Sequence, residues 1–291
     1  MNRPILELRF YETYYFANAV QNILKDQFSF IRHLNDFYGD DKHFHFTKPF
    51  QRFSAFHCFL EFVIDVLLCE PTEQVDLSER LQTIERFKDI PSAIASQNPM
   101  TLPIEAAFRF HGYKYESFCE WLSENDTIFE DATSDHIYDY LNELRLSGPY
   151  DDLLLHSVRE VFYLLFRDRQ VLLLFNDMIA RQVSKSSISE IPTEFTPYFS
   201  RSGILKRTHI PEWVRRAIFF RDRGMCVACR IDLSGILNIW SEDHFDHIVP
   251  LASGGLNDVT NIQLLCAACN LKKGGDKIFT SNSYEDWYPF P

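Results

Sequence analysis

Hydrophobic positions return every three or four residues along the first 184 residues of the chain, which is the spacing of amphipathic helices. The longest stretch with this pattern, residues 151–184, has an acidic start and a basic end, as the helix dipole favours. Shorter stretches with the same pattern cover residues 12–38, 50–69, 77–88, 104–122 and 134–146. Helix-breaking residues interrupt the pattern at Pro71, Pro91, Pro99, Pro103 and Gly148-Pro149. The sequence therefore predicts a mostly α-helical N-terminal domain over residues 1–184.

The pattern changes after residue 184. Residues 185–208 are rich in Ser, Thr and Pro, which is typical of a linker or an extended arm. A new amphipathic stretch has Pro211 at its start and Gly224 at its end, and both residues suit those positions in a helix. We therefore predict a linker over residues 185–208 and a second domain over residues 209–291.

The composition is that of a globular protein, with 46 % hydrophobic and 24 % charged residues in a chain of 291. The 27 Phe and 13 Tyr residues predict a core that is rich in aromatic side chains. No apolar run reaches the roughly 18 residues that a membrane span needs, and the N-terminus lacks the apolar stretch of a secretory signal. We therefore expect a cytoplasmic protein that does not enter a membrane.

Charge is unevenly distributed along the chain, whose formal net charge is −12. Residues 1–200 hold 18 basic and 31 acidic residues, a balance of −13, whereas residues 201–230 hold eight basic and two acidic residues, a balance of +6. An acidic body repels nucleic acid and a basic segment attracts it. A solvated basic helix face is the alternative explanation of this segment. The candidate phosphate contacts in it are Arg215, Arg216, Arg221 and Arg223.

Four of the seven cysteines form two Cys-x-x-Cys pairs, which are Cys226/Cys229 and Cys266/Cys269. Each pair turns two thiolates toward one point, so together the pairs complete the tetrahedral ligand set of a structural Zn²⁺. Four unrelated cysteines and a redox-active pair are the alternatives, but no βαβ pattern surrounds either pair. The other three cysteines are predicted to be small buried hydrophobic residues: Cys58, Cys69 and Cys119.

The segment between the two cysteine pairs predicts a small strand, loop, strand and helix arrangement. Residues 236–240 (ILNIW) and 244–251 (HFDHIVPL) are predicted strands joined by a short turn, and a loop with two adjacent glycines follows them. Residues 262–266 return as a strand, and a helix begins at the second cysteine pair. Within this frame, Asp246 and His247 stand side by side where a strand enters the loop. A histidine can take a proton near neutral pH and a carboxylate can bind a divalent metal, so this pair is a candidate catalytic site.

Residues 209–275 resemble the HNH endonuclease family, whose core is a ββα fold around a metal ion. The resemblance does not extend to the first 184 residues. It rests on these matches to the family pattern: Cys226, Cys229, Asp246, His247, Ile248, Pro250, Gly254, Gly255, Asn261, Leu265, Cys266, Cys269, Asn270, Lys273 and Gly274. The resemblance implies a small α+β nuclease domain with a structural zinc, joined to the mostly α N-terminal domain.

The resemblance also implies how the site residues divide the work. Asp246 binds the catalytic divalent metal, while His247 faces the attacking water and takes its proton. Asn261 braces the loop and helps to orient the imidazole, and Asn270 is the second metal ligand. Many family members have His at the position of Asn270, so the neutral amide here favours Mg²⁺ or Mn²⁺ over zinc.

Two lysines and several isolated histidines complete the set of candidates. Lys272 and Lys273 are placed to contact phosphate, and Lys273 occupies the family position. His244 shares a strand face with Asp246 and is predicted either to support the site from behind its ligands or to be structural. The remaining histidines of interest have no matching pair of ligands nearby in sequence and are predicted core or surface residues: His43, His45 and His57.

The function expected from these features is that of a metal-dependent DNA endonuclease. By analogy with other HNH proteins that carry an additional domain, a restriction or anti-phage defence effector is expected. The alternatives are a zinc-ribbon module that binds nucleic acid without turnover, and an HNH nuclease that acts on RNA. The acidic N-terminal domain is expected to be regulatory, to form a homodimer, or to bind a partner protein.

Overall fold

A computed structural model of the chain describes residues 12–39, 41–87, 100–235 and 244–284. The helices are α1 (Thr13–Lys25), α2 (Ile31–Tyr38), α3 (Ala55–Glu73), α4 (Leu77–Phe87), α5 (Pro103–His111), α6 (Phe118–Glu124), α7 (Ser134–Arg145), α8 (Gly148–Leu165), α9 (Arg169–Val183), α10 (Glu212–Arg221) and α11 (Ala267–Lys273). The strands are β1 (Phe199–Arg201), β2 (Ile204–Leu205), β3 (Phe245–His247) and β4 (Ile262–Leu264). The predicted fold class, mostly helical with a small α+β part near the C-terminus, is confirmed. Among the described residues, no helix has the length and apolar character needed to cross a membrane.

Three of the helices that periodicity predicted as continuous are each divided in two. The stretch 151–184 is two helices, α8 and α9, because the Asp168 side chain accepts hydrogen bonds from the backbone N–H groups of Gln170 and Val171 at 3.0 and 3.1 Å. The stretch 104–122 is likewise divided into α5 and α6, and the stretch 12–38 into α1 and α2. In contrast, α3 continues through the predicted break at Pro71 to Glu73.

The described chain forms two compact units that are discontinuous in sequence. The first comprises Met1–Phe16 and Leu60–Val161, and the second comprises Ala17–Phe59 and Phe162–Pro291. In the first unit, the buried ring of Phe118 lies 5.3 Å from the ring of Tyr140 and stacks on Trp121 at 6.2 Å. This packing is the aromatic core that the composition predicted.

The second unit contains the candidate nuclease segment and a buried cluster that surrounds it. The cluster combines residues of α10, β3 and β4 with Cys226, and its members are Phe50, Ile210, Val214, Ile218, Cys226, Val227, Leu233, Phe245, Val259, Ile262, Leu264 and Leu265. Phe50 comes from far upstream in the sequence, and its backbone N–H donates to the Asn257 carbonyl at 2.8 Å. The backbone N–H of Ala55 donates to the Asp258 carboxylate at 3.1 Å. Residues just before and at the start of α3 therefore complete the core of the C-terminal fold.

The segment predicted as a linker, residues 185–208, is folded within the second unit. It contains the antiparallel pair β1 and β2, with Phe199 opposite Leu205. Both of these side chains are buried, as are Ile191 and Phe195. The segment is therefore packed rather than extended, because its apolar side chains contribute to a core. The division into a domain over 1–184 and a domain over 209–291 stays a prediction.

Candidate active site and metal centre

The strands β3 and β4 pair antiparallel and carry the Asp-His dipeptide. Asp246 lies opposite Gln263 and His247 lies opposite Ile262 in the register. The helix α11 follows β4 directly, with Cys266 as its N-cap. This order of strand, loop, strand and helix is the one that the sequence predicted. The predicted strand at residues 236–240 lies outside the described residues.

The four cysteine sulfurs of the two Cys-x-x-Cys pairs converge on one point. All four Sγ atoms lie within 4.8 Å of one another, and the Sγ atoms of Cys229 and Cys266 are 3.7 Å apart. A Zn–S bond of about 2.3 Å puts tetrahedral ligands about 3.8 Å apart. The backbone N–H of Cys269 also donates to Cys266 Sγ at 3.4 Å, which is how the turn of such a pair is held. The cluster therefore fits a structural zinc site.

The thiols of the cluster differ in acidity. Burial raises the pKa of the Cys226 thiol, but hydrogen bonds from the backbone at Cys266, Cys229 and Ala228 outweigh burial and lower the pKa to about 7. Burial, followed by the neighbouring sulfurs, raises the pKa of Cys269 to about 12. One thiolate forms readily, whereas four adjacent thiolates repel one another unless a divalent metal binds them.

His247 is held in one orientation by Asn257. The imidazole Nε2 lies 3.2 Å from Asn257 Oδ1, and Asn257 Nδ2 donates to the carbonyl of Lys206 at 2.8 Å. The second bond fixes the amide, because only its nitrogen can donate to a carbonyl. The Asn257 oxygen therefore accepts from Nε2–H, and the lone pair of a neutral His247 is on Nδ1.

His247 is buried, with 3 % of its surface exposed. Burial lowers its pKa to about 4, and the positive charge of Arg207 acts in the same direction. The hydrogen bond to Asn257 and the charge of Asp246 oppose this shift, and Lys273 adds to it. The imidazole is therefore neutral at pH 7, which is the state that accepts a proton.

Asp246 is paired with a lysine of α11. Lys273 Nζ lies 2.8 Å from Asp246 Oδ2 and donates to the His247 carbonyl at 2.6 Å. Gln263 Nε2 donates to the same Oδ2 at 3.2 Å. In the part of the chain that the structure describes, these contacts to the carboxylate all fall on Oδ2. A divalent cation at Asp246 therefore meets a carboxylate that an ammonium group already partly neutralises.

Asn270 stands one turn before Lys273 on α11. Residues three apart on a helix are surface neighbours, with Cβ atoms about 5–6 Å apart. Lys273 is three residues after Asn270 and reaches Asp246, so the amide of Asn270 belongs to the same helix face. A carboxylate and an amide are oxygen donors, which Mg²⁺ and Mn²⁺ prefer. By donor chemistry, Asp246 and Asn270 fit a hard divalent cation.

Asn261 braces the loop between β3 and β4 through its amide. It donates to the carbonyls of Val249 and Leu256 at 3.0 and 2.9 Å and accepts from the Val249 N–H at 2.9 Å. These contacts are to the backbone, so they hold the loop and reach the imidazole only indirectly. The residue that contacts the imidazole is Asn257, which sequence reasoning did not single out.

Gly254 and Gly255 are required by close backbone approaches. Gly254 has φ of +84°, and a Cβ atom there would meet the carbonyl oxygen of Ala180 at 2.5 Å. A Cβ atom at Gly255 would meet the Val249 carbonyl oxygen at 2.0 Å. A side chain at Gly254 would push the loop away from α9, and a side chain at Gly255 would collide with the backbone of the loop itself.

The structure separates the predicted phosphate contacts into exposed and buried side chains. Arg216 and Lys272 are exposed, and Arg223 is half-buried with its guanidinium 5.6 Å from the Tyr284 ring. Three others are buried and contact protein groups: Arg215, Arg221 and Lys273. In the structure their charged groups lie inside the fold.

A buried ion-pair network explains the position of Arg221. The Asp222 carboxylate contacts Arg221 Nε at 2.8 Å and Arg169 Nη1 at 3.0 Å, and it accepts from the Leu264 N–H at 3.0 Å. Arg221 also donates to the Ile262 carbonyl at 2.7 Å. The network therefore joins α9, α10 and β4. Local sequence offers no signal for it beyond the charged residues themselves.

Comparison with known proteins agrees with this geometry. The family model described as HNH endonuclease matches residues 226–276, which include both cysteine pairs, the Asp-His dipeptide and α11. No curated protein and no solved structure matches the chain. This segment is therefore an HNH domain, and the family implies nuclease activity on nucleic acid with divalent metal.

Proposed function

We propose that this protein is a metal-dependent endonuclease that hydrolyses phosphodiester bonds of DNA. The observation that carries the proposal is the arrangement of His247, which Asn257 holds with Nδ1 as its basic nitrogen, next to Asp246 in the HNH domain. A neutral imidazole beside a metal-binding carboxylate is the pair of groups that this hydrolysis requires.

His247 acts as the general base in this proposal. Nδ1 takes a proton from the attacking water, and Asn257 Oδ1 stabilises the resulting imidazolium through the Nε2–H bond. The ring exposes little surface, so the group that it meets is small, as water is. Asn257 is a positioning residue, because it contacts His247.

Asp246 and Asn270 hold the catalytic Mg²⁺ or Mn²⁺ in this proposal. When bound, such an ion stabilises negative charge on the phosphate and on the departing 3′ oxygen. Lys273 pairs with Asp246 and ties α11 to β3 through the His247 carbonyl. Asn261 supports the loop that follows the base.

The contact to the nucleic-acid backbone is assigned to exposed cations of the second unit. Arg216 and Lys272 retain this role from the sequence prediction, and Lys206 and Arg207 join them because both are exposed and lie beside Asn257 and His247 respectively. Contacts from these side chains position the backbone and carry no base preference.

The acidic N-terminal region is proposed to regulate the nuclease, to dimerise, or to bind a partner protein. Its charge opposes direct contact with DNA. We also propose a role in restriction or anti-phage defence, by analogy with other HNH proteins that carry an additional domain. The proposed cytoplasmic location rests on the composition of the chain.

A second candidate function has one observation in its favour. The Lys273 ammonium pairs with Asp246 at 2.8 Å, which would suit a zinc-stabilised binding module in which a lysine replaces the catalytic metal. Such a protein binds nucleic acid and leaves it intact.

The test is a substrate panel with the full-length protein. Supercoiled plasmid, linear duplex DNA and a structured RNA are incubated with Mg²⁺, with Mn²⁺ and with a chelator of both ions. Nicked or linear plasmid that forms only with added metal, and RNA that stays intact, support the proposal. RNA cleavage with intact DNA reassigns the substrate, and binding without cleavage of any substrate supports the second candidate.

A further inference from the structure

A second group of potential metal ligands lies in the first unit, outside the HNH domain. His111 is the last residue of α5, and His156 and Glu160 are one turn apart on α8. Residues four apart on a helix share a face. One ring nitrogen of each histidine and one carboxylate oxygen of Glu160 all lie within 4.8 Å of one another. Two histidines and a carboxylate are a ligand set known for zinc.

The distance between His156 and Glu160 suits two ligands of one ion. Nε2 of His156 lies 3.4 Å from Oε1 of Glu160. Hydrogen bonds of the N–H···O type span about 2.7–3.2 Å, and in the described part of the chain His156 Nε2 is buried with no hydrogen-bond partner. Zinc bonds of about 2.0–2.2 Å to nitrogen and oxygen put tetrahedral ligands about 3.4 Å apart. The observed separation matches two ligands of one ion.

Glu160 contributes a buried carboxylate to this group. Its side chain has no exposed surface. Thr13 Oγ1 donates to Oε2 at 2.5 Å, while Oε1 faces the His156 ring. A metal ion at Oε1 therefore also uses the two neighbouring imidazoles.

The orientation of His156 is held from its other side. Tyr113 OH lies 3.3 Å from His156 Nδ1, and the rings of His111 and His156 have centroids 4.6 Å apart. Histidines that bind metals generally hold their second nitrogen with an outer hydrogen bond, which fixes the ring. Here that contact directs Nε2 toward Glu160.

We propose that His111, His156 and Glu160 bind a divalent transition-metal ion, Zn²⁺ being the best match, at a site distinct from the cysteine cluster. Imidazole ligands select such an ion over Mg²⁺. Three protein ligands leave a fourth position for water. The ion joins the C-terminal end of α5 to the middle of α8, so its binding stabilises the first unit. This proposal stands independently of the nuclease activity.

The first experiment measures zinc per chain in the full-length protein by elemental analysis, after loading with Zn²⁺ and washing with a weak chelator. Wild type is expected to hold two zinc ions. His156→Gln and His111→Gln are each expected to hold one, and the control His33→Gln, which changes an exposed histidine on α2, is expected to hold two. One zinc in wild type, or two in the His156→Gln protein, overturns the proposal.

The second experiment identifies the metal ligands. It begins with the wild-type protein, so its outcome does not require that a variant folds. Co²⁺ replaces zinc, and the thiolate charge-transfer bands are separated from the weaker bands of a nitrogen and oxygen site. Wild type is expected to show both sets, and His156→Gln only the thiolate set. X-ray absorption of zinc-loaded wild type is expected to show nitrogen or oxygen ligands beside sulfur. An all-sulfur shell overturns the proposal.

Discussion

Asn257 Oδ1 accepts a hydrogen bond from His247 Nε2 at 3.2 Å, and this bond defines which nitrogen of the imidazole is basic. The amide is fixed by its own donation to the Lys206 carbonyl. Because Nε2 carries the proton, Nδ1 is left as the proton acceptor. The activity of His247 therefore depends on a residue ten positions away that stands in the loop beyond the glycine pair.

Replacement of Asn257 tests this dependence. Asn257→Ala is expected to lower the cleavage rate about 10- to 100-fold, since outer-shell partners have effects of this size. Asn257→Asp keeps an acceptor for Nε2–H and is expected to retain more activity than Ala. The rates are measured on plasmid across a pH series, with Asn35→Ala on α2 as an exposed control. If Asn257→Asp and Asn257→Ala lose equal cleavage activity, the hydrogen bond to His247 Nε2 does not explain the role of Asn257.

Lys273 is expected to compete with the catalytic metal for Asp246. Two unit charges about 4 Å apart have an interaction energy of more than about 1.4 kcal/mol at an intermediate dielectric constant. Lys273→Met should therefore lower the half-saturating Mg²⁺ concentration on the order of tenfold. The matched control is Lys272→Met, which changes the exposed neighbour of Lys273. This variant should leave the Mg²⁺ dependence unchanged and weaken binding to DNA. The Mg²⁺ dependence of cleavage is measured for both, after circular dichroism confirms folding. An unchanged Mg²⁺ dependence in Lys273→Met would contradict the assignment of Asp246 as the ligand.

Zinc at the cysteine cluster is expected to be structural. Cys226→Ser and Cys269→Ser should unfold the HNH domain, because the cluster joins the start of the domain to α11. Cys119→Ser, which changes a half-buried thiol outside the cluster, is the control and should leave zinc binding intact. Thiol titration before and after a strong chelator should reveal four additional reactive thiols. Full reactivity of all cysteines in the untreated, folded protein would exclude a metal at this cluster.

Arg221 and Arg216 both lie on α10, but we expect Arg221 to stabilise the fold and Arg216 to bind DNA. Arg221→Ala removes a partner from the fully buried Asp222 and is expected to lower the free energy of unfolding by about 3 kcal/mol or more. Arg216→Ala removes an exposed charge and is expected to leave stability unchanged while it weakens DNA binding. Urea unfolding and a salt titration of binding measure the two effects. A stable Arg221→Ala protein with weakened DNA binding would restore the phosphate-contact role that the sequence predicted.

Some features of this chain are visible in the sequence because their spacing is local. The Cys-x-x-Cys pairs, the Asp-His dipeptide and the start of α10 at Pro211 each depend on residues a few positions apart. The division of residues 151–184 at Asp168 depended on a cap that competes with a continuous helix, and periodicity does not report it. The burial of Arg221 and the pairing of His111 with His156 depend on contacts between distant segments. Residue type alone predicts these contacts poorly, because an exposed and a buried arginine have the same sequence signature.

The assignment of His247 as the general base is the centre of this account, and plasmid cleavage by His247→Ala in the presence of Mg²⁺ tests it most directly. The account predicts a loss of at least about 100-fold in rate, with DNA binding, zinc content and unfolding midpoint close to those of wild type. The exposed His209 provides the control, and His209→Ala should cleave at the wild-type rate. Cleavage by His247→Ala at the wild-type rate would contradict the account.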